Sequence, residues 1–257
     1  LSVLAFSSCE GFLDKFPETS LSPETFYTSE KELELATNGF YTMLPSPDNT
    51  TDGALQDNDL EYHVALSSLQ MGNRSAENES WSSSTWSNLR ALNYYLEHSV
   101  NCTSEDIRKK YDGVAYFFRA MFYYEKVRKY GDIPWYDHVI SANDKASLYR
   151  ARDSRGFVMQ KIMEDLDKAI DGLSVTWTEG VYRINKYAAY AFKSRVALFE
   201  GTWRKYHDVP DETYTKDDGT QLTLSSEYFL RQSADAAKAV IDYGKYKMYK
   251  GETIVKG

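Results

Sequence analysis

Residues of the types that enzymes use for catalysis are present, but their spacing matches no familiar reaction site. The patterns G-x-S-x-G, H-E-x-x-H, G-x-x-x-x-G-K-[ST] and C-x-x-C are absent from the sequence. The histidines lie far apart, without metal-ligand spacing: His63, His98, His138 and His207. A glycosidase needs only two carboxylates, but those of "EDLDK" (164–168) fall on a predicted helix, where acidic side chains usually face solvent. We therefore predict that the chain is not an enzyme and binds no metal or cofactor.

The first cysteine follows an apolar stretch and two small residues. The run "LSVLAF" and two serines precede Cys9, which is typical of the end of an export signal. The pattern resembles a bacterial lipobox, in which the cysteine receives the lipid and becomes the first residue of the mature protein. We predict a signal-peptide remnant over 1–8, lipidation of Cys9 and a lipidated tether over 9–29, with the acyl chains as membrane anchor. The alternative is a truncated signal followed by an ordinary cysteine.

The composition is that of a globular protein that is rich in aromatic residues. Of 257 residues, 42% are apolar and 26% are charged, and the formal net charge of −8 argues against binding to nucleic acid. There are 21 Tyr, 12 Phe and 5 Trp. These rings could fill a helical core, or some could line a surface that binds flat, hydroxyl-bearing ligands. Two cysteines, Cys9 and Cys102, do not make a disulfide scaffold.

Apolar residues recur at helical spacing along most of the chain, and no convincing strand alternation is present, so we predict an all-α fold. Ser29 and Glu32 have the spacing of a capping box at the start of the first helix. The longest helix should begin after Ser104 and end at Gly131, and Pro134 prevents its continuation. The helical segments are residues 29–44, 84–99, 104–131, 153–173, 185–206 and 225–244, with loops over 45–84 and 207–223.

Two pairs of segments resemble each other at a distance of about 70 residues. "AYFFRA" (115–120) is similar to "AYAFKS" (189–194), and "FVMQ" (157–160) is similar to "FLRQ" (229–232). They predict a helical hairpin that occurs twice, as in tetratricopeptide-like repeats stretched by inserted loops, unless Ala- and Phe-rich helices match by coincidence. The small residues that would let helices cross closely are Ala115, Ala120, Ala188, Ala189, Ala191, Ala234, Ala237 and Ala239.

Five blocks of the sequence resemble the SusD/RagB family of outer-membrane lipoproteins of Bacteroidetes. They are "CEGFLDKFPETSLSPETFYTSEKELELATNGFY", "NLRALNYYLE", "GVAYFFRAMFYYEKVRKYGDIPWYD", "LYRARDSRGFVMQKIMEDLDKAI" and "RINKYAAYAFKSRVALFEGTW", in the family's order. The resemblance implies a SusD-like fold of tetratricopeptide-like repeats and a surface that binds glycans or other nutrients. It also implies a partner, a SusC-like TonB-dependent transporter. Because family members are about twice as long, residues 30–257 would correspond to their amino-terminal helical repeat region.

With this resemblance, the stretch "MGNRSAENESWSSSTW" (71–86) becomes the candidate ligand loop. Sugars present apolar C–H faces beside hydroxyls, so a site for them needs an aromatic platform and polar side chains. Trp81 and Trp86 are the candidate platforms, although the position of Trp86 at a helix start favours packing. The candidate polar contacts are Asn73, Arg74 and Asn78. The rival tryptophan, Trp135, follows a helix end, where packing is the favoured role.

The sequence thus predicts a lipid-anchored, cell-surface protein of the outer membrane that delivers oligosaccharide to its transporter without catalysis. The paired helices over 104–243 are predicted to be the scaffold that contacts the transporter. On these helices Arg119 and Arg195 are expected to pack their stems and pair or snorkel their guanidinium groups, not to bind ligand. The alternative to nutrient binding is a repeat-type scaffold for protein–protein interaction at the cell surface.

Overall fold

The computed structural model describes residues 26–44, 71–73, 75, 81, 83–178, 180, 182–216 and 218–247. This part of the chain is mostly helical, as predicted. The signal remnant over 1–8, Cys9 and most of the tether over 9–29 lie outside it. The helices are α1 (Glu30–Asn38), α2 (Ser83–His98), α3 (Glu105–Tyr130), α4 (Lys145–Leu148), α5 (Arg155–Gly172), α6 (Lys186–Tyr206) and α7 (Ser226–Tyr243). Within the described residues, no helix has the length and apolarity needed to cross a membrane.

Helix α1 begins at the predicted capping box. The Ser29 hydroxyl accepts the Glu32 N–H at 3.4 Å, and the Glu32 carboxylate accepts the Ser29 N–H at 3.0 Å. The reciprocal bonds satisfy two backbone donors that would otherwise be left without partners. A 3₁₀ turn over Gly39–Met43 follows α1, and Leu33 and Phe40 from the two elements are buried in the core.

Helices α3 and α5 form the first hairpin, and α3 begins and ends where the sequence predicts. Gly131 follows α3 with a φ of 73°, a conformation that glycine adopts without the penalty other residues incur. A Cβ atom added at Gly172 would collide with the carbonyl oxygen of Lys109, so the two backbones nearly touch there. Ala115 and Ala120 are buried as expected. The close approach of the two backbones, however, is at Gly172, whereas the predicted set of small residues contains only alanines.

Helices α6 and α7 form the second hairpin, which confirms the repeat. Ser225 caps α7, and Ser194 pairs with Ser233 across the hairpin. Ala189 is buried, whereas the prediction of close helix crossings is wrong for three other alanines, which are exposed: Ala188, Ala191 and Ala234. These three alanines lie on helix faces that are exposed, whereas other faces of α6 and α7 pack together.

The prediction that residues 207–223 form a loop is wrong, because a β-hairpin begins in this segment. Strand β1 (Glu212–Thr215) pairs antiparallel with β2 (Gln221–Leu224). Each strand has four residues and buries one large side chain: Tyr214 of β1 packs near Phe157 of α5, and Leu224 of β2 is buried beside α7. Alternation over so short a run gives too weak a signal to recognise among turn residues.

Most of the aromatic residues in the described core pack against helices, in line with the first of the two alternatives. Tyr95, Tyr111, Phe118 and Tyr123 are all less than 2% exposed. Rings meet edge to face along α3, as in the pair Phe117 and Phe118, whose centroids lie 5.5 Å apart. The aromatic content therefore serves the core first, and only a few rings remain for a surface.

Candidate functional site

An open groove of about 620 Å³ lies between the start of α2 and the segment that connects α3 to α5. We call it the tryptophan groove. Its walls combine aromatic rings, aliphatic side chains and cations, which suits a ligand with both apolar and polar surfaces. The described lining residues are Trp81, Trp86, Ser87, Leu89, Arg90, Asn93, Pro134, Tyr136, His138, Val139, Ile140, Leu148, Arg150 and Arg152.

The connecting segment is held at its base by contacts between its two ends. Ile133 and Asp153 form an isolated antiparallel bridge, and the Trp135 N–H donates to the Asp153 carboxylate at 2.7 Å. Arg150 donates to the Trp135 carbonyl oxygen at 3.1 Å and pairs with Asp153. These bonds close a loop of about 20 residues, which we call the wall loop (Ile133–Asp153). The wall loop forms one side of the groove.

Side chains of α2 fix the wall loop against the helix. Asn93 is buried, and its amide donates to the carbonyl oxygens of Tyr136 and His138, each at 3.0 Å. Arg90 donates to the Ile140 carbonyl oxygen at 3.0 Å, and Glu97 accepts the Val139 N–H at 2.6 Å. Three turns of α2 therefore supply the polar partners that the loop backbone would otherwise take from water.

A buried ion pair of the first hairpin supports this arrangement. Arg119 donates two hydrogen bonds to the Asp165 carboxylate, at 2.6 and 2.8 Å. Its remaining group donates to the Asn93 side-chain oxygen at 3.1 Å and to the Asp137 carbonyl oxygen at 3.3 Å. Burial alone would lower the pKa of Arg119, but the Asp165 carboxylate outweighs burial and raises it. Arg119 stays charged and links the hairpin core to the wall loop.

The outcome for these residues both confirms and corrects the sequence predictions. Arg119 packs its stem and pairs its guanidinium group, as expected. The prediction of a solvated side chain is wrong for Asp165, which lies within "EDLDK" but is buried. Periodicity could not reveal its burial, because its partner lies 46 residues away in the sequence. Trp135 is also buried, with its ring centroid 4.2 Å from that of Tyr123, which is the packing role that its position favours.

Trp81 and Trp86 meet at one end of the groove. Their ring centroids lie 4.9 Å apart, and Trp81 also packs edge to face on Tyr130 at 4.8 Å. Trp81 remains 46% exposed, so part of its ring is free to meet a ligand. Trp86 is partly buried against Phe122, at 5.5 Å, as its place at a helix start suggests. Trp81 is thus the more exposed ring of the two, and its role as a platform stays a prediction.

The predicted polar contacts are only partly located. Asn73 is described and exposed, but it does not line the tryptophan groove. Arg74 and Asn78 lie outside the described residues. Sequence reasoning missed Arg90 and Arg152, which do line the groove. Arg90 shares a helix face with Trp86 and Asn93, a spacing that could have pointed to it, whereas Arg152 reaches the groove only because the wall loop folds back.

A second groove, also of about 620 Å³, lies at the far ends of the second hairpin. Tyr187 and Tyr243 stack there with centroids 3.7 Å apart, and Tyr246 packs beside them. We call it the tyrosine groove. Its lining includes Asn185 and Arg183. In the described part of the chain, no group of three or more His, Cys, Asp or Glu side chains is placed to hold a metal ion.

Comparison with known proteins identifies the family. A SusD-like family model, described as "Starch-binding associating with outer membrane", matches residues 11–198, and the chain belongs to this family. A SusD-like protein of Formosa agariphila is 26% identical over 223 residues, which cover 77% of this chain and 41% of that protein. A SusD-like protein of Bacteroides ovatus is 26% identical over 242 residues, covering 88% and 42%. The chain thus spans about two fifths of the length of these curated relatives.

Solved structures show the same fold. A SusD-like protein of Bacteroides fragilis superposes with a TM-score of 0.66 at 22% identity, covering 87% of this chain and 40% of that one. A laminarin-binding SusD-like protein superposes with a TM-score of 0.58 at 16% identity, covering 83% and 44%. At these identities the likeness concerns the fold, and it confirms the predicted SusD-like helical repeats.

Proposed function

We propose that this chain is the glycan-binding part of a lipid-anchored outer-membrane protein that passes oligosaccharide to a SusC-like TonB-dependent transporter. The family to which the chain belongs carries the description "Starch-binding associating with outer membrane", and one structural neighbour is a laminarin-binding protein. Both support a saccharide as the ligand. Because the chain spans about two fifths of its curated relatives, the proposal concerns the share of the site that these residues supply.

The observation that carries the ligand assignment is the exposed part of the Trp81 ring at the tryptophan groove. A pyranose has axial C–H groups on one face, and an indole offers a flat apolar surface for them. Arg90 and the wall-loop cations lie where the ring hydroxyls would need hydrogen-bond donors. An open groove with a platform at one end suits an extended chain of sugars better than a small enclosed molecule.

The chemistry of the groove supports binding without cleavage. Glycoside hydrolysis usually requires two carboxyl groups that flank the scissile bond. Among the described residues that line the tryptophan groove there is no Asp or Glu. The neighbouring carboxylates are engaged, since Asp153 pairs with Arg150 and Glu97 accepts a backbone N–H. We therefore propose a binding protein, and incubation with glycan should release no new reducing ends.

The glycan part is tested by affinity electrophoresis of the chain in gels that contain starch, laminarin, xylan or other neutral and acidic polysaccharides. We expect retardation by at least one polysaccharide. A protein that captures partner proteins but is retarded by none would contradict glycan binding and favour the interaction scaffold. Release of reducing ends in the same incubations would instead favour an enzyme.

The anchor and the partner are proposed from the sequence pattern at Cys9 and from the family resemblance. With the complete export signal restored, the parent should fractionate with the outer membrane and Cys9→Ala should be released from it. The strain used should lack the transporter, so that the lipid is the only route to the membrane. Retention of Cys9→Ala there would contradict lipidation.

Copurification of the transporter with the parent protein tests the proposed partner, and absence of the transporter from the purified sample would contradict that assignment.

A further inference from the structure

The tryptophan groove is cationic in a protein whose overall charge is negative. The chain has a formal net charge of −8. Yet Arg90, Arg150 and Arg152 line this one groove, and no carboxylate is among its described lining residues. A basic groove on an acidic protein is a local feature of the site and does not follow from the bulk composition. Cationic side chains that line a groove favour an anionic group in the ligand.

The three arginines differ in whether their guanidinium groups already bind other groups of the protein. Arg150 pairs with Asp153 and donates to a backbone carbonyl, so it holds the wall loop. Arg90 donates one N–H to the Ile140 carbonyl oxygen and has no ion-pair partner among the described residues. Arg152 is exposed and has neither a hydrogen bond nor an ion pair within the described part of the chain. Two guanidinium groups therefore remain available to a ligand.

Two nearby acidic side chains are bonded to groups other than these two arginines. Asp137 faces His138 at 3.0 Å, and the bond from His138 and the charge of Arg119 lower its pKa in spite of burial, which acts the other way. Glu97 is bound to the Val139 N–H at the edge of the wall loop. Neither carboxylate forms a hydrogen bond or an ion pair with Arg90 or Arg152 among the described residues.

We propose that the tryptophan groove selects an acidic sugar unit, one that carries a carboxylate or a sulfate, over a neutral one. The inference rests on the proposed glycan-binding function and names the ligand class for that same site. A guanidinium group matches a carboxylate or sulfate with two parallel hydrogen bonds. Trp81 would meet the apolar face of the sugar ring, while Arg152 and Arg90 bind its anionic group.

The test compares ligands that differ only in charge, by calorimetry at low salt. One pair is polygalacturonate and its methyl ester, and the other is dextran sulfate and dextran. The first pair tests a carboxylate, and the second tests a sulfate. We expect binding at least about tenfold tighter for the charged member of one pair or both, as for one charge-assisted hydrogen bond. The panel of neutral polysaccharides is run beside them.

Two variants separate a specific site from general attraction. Arg152→Gln should weaken binding of the charged ligand about tenfold. Arg231→Gln removes the same charge from an exposed turn of α7, where Arg231 pairs with Glu227, and should leave binding unchanged. Equal losses in both variants would overturn the inference. Both variants should retain the melting temperature of the parent.

The outcomes also separate the inference from the proposed function. Equal binding of charged and neutral partners, or binding of neutral glycans alone, would overturn selection for acidic sugars and leave glycan binding in place. Failure of every saccharide, charged or neutral, would overturn both. A preference for the charged partner that is lost in Arg152→Gln alone supports both.

Discussion

The two hairpins have matching sequence patterns but hold their helices together in different ways. In the first, Arg119 and Asp165 form a fully buried ion pair. In the second, Ser194 and Ser233 form a neutral pair of hydroxyls. Lys193, which matches Arg119 in the repeated segment, pairs instead with Asp167 of α5, whose carboxylate is largely exposed. The matching segments therefore carry a buried ion pair between the helices in one copy and a pair of hydroxyls in the other, where the buried ion pair of Glu200 and Arg204 lies within α6.

The difference follows from what each hairpin has to support. The Arg119 guanidinium has donors left after binding Asp165, and they reach Asn93 and the wall loop. No such loop depends on Lys193. A buried ion pair is not by itself a stabilising feature, because desolvation can cancel its attraction. We interpret Arg119 as a positioning residue that fixes the wall of the tryptophan groove.

The largest expected effect is therefore the loss of Arg119. Arg119→Met leaves Asp165 buried without a partner and should lower the free energy of unfolding by about 3–5 kcal/mol. The matched control Lys193→Met removes a partly exposed pair and should cost less than about 1 kcal/mol. Urea denaturation of the two variants measures the difference. Similar losses in both would contradict the contrast between the hairpins.

Asp112 of α3 extends the comparison, because it is a partly buried carboxylate of the first hairpin that forms no ion pair among the described residues, although the charge of Arg108 favours its ionised form. Burial raises the pKa of its carboxyl from 3.8 to about 6. Its Oδ1 atom has no hydrogen-bond partner among the described residues. The folded state thus holds the proton more tightly than the unfolded state, so this contribution to stability is complete below pH 3.8 and is lost as pH rises through about 6.

Asp112→Asn should abolish this dependence. At pH 8 the variant should be more stable than the parent by about 2–3 kcal/mol, and the gap should close near pH 4, where the parent carboxyl is protonated in the fold. Unfolding free energies across this pH range provide the measurement. A gap that is constant with pH, or that widens in acid, would show that the fold does not raise the pKa of Asp112.

Substitution of two glycines, one in each hairpin, should give a smaller difference in stability. Gly172→Ala places a methyl group against the Lys109 backbone, which cannot move without separating α3 from α5, and should cost about 1–3 kcal/mol. Gly201→Ala meets the Leu230 side chain at 2.8 Å and the Leu230 backbone N at 3.0 Å, a looser backbone contact than the 2.2 Å at Gly172, and the better helix propensity of alanine offsets part of the cost. Melting temperatures should fall further for Gly172→Ala. The reverse order would contradict the closer backbone approach in the first hairpin.

The sequence predicts best what depends on neighbouring residues. The capping box at Ser29, the stop at Gly131 and the helical repeat all rest on local signals, and the structure confirms them. The burial of Asp165 and the assembly of the groove depend on contacts between distant segments. Nothing in the local pattern around Arg152 indicates that the wall loop returns to α2, so its place in the groove could not be predicted. The β-hairpin was missed because its strands are too short.

The tryptophan groove and the tyrosine groove differ in how their walls are held. Trp81 lies at a groove whose opposite wall is tied to the buried core through Asn93 and Arg119. In the tyrosine groove, Trp177 and Arg183 are also bonded to the rest of the fold, at the Ile184 carbonyl oxygen and at Glu34. The contact that holds Tyr246 beside the stacked rings, from Asn185 to its hydroxyl at 3.2 Å, is however exposed. A rigid wall lowers the cost of ordering a site when ligand binds. This difference favours the tryptophan groove as the proposed glycan site.

Calorimetry of Trp81→Ala beside Tyr243→Ala tests this assignment most directly. The polysaccharide that most retards the parent in affinity electrophoresis is the titrant. Trp81→Ala should bind it about tenfold more weakly at an unchanged melting temperature, because the indole is partly exposed and supplies the platform. Tyr243→Ala should bind like the parent. Unchanged binding by Trp81→Ala together with weakened binding by Tyr243→Ala would contradict the account and move the site to the tyrosine groove.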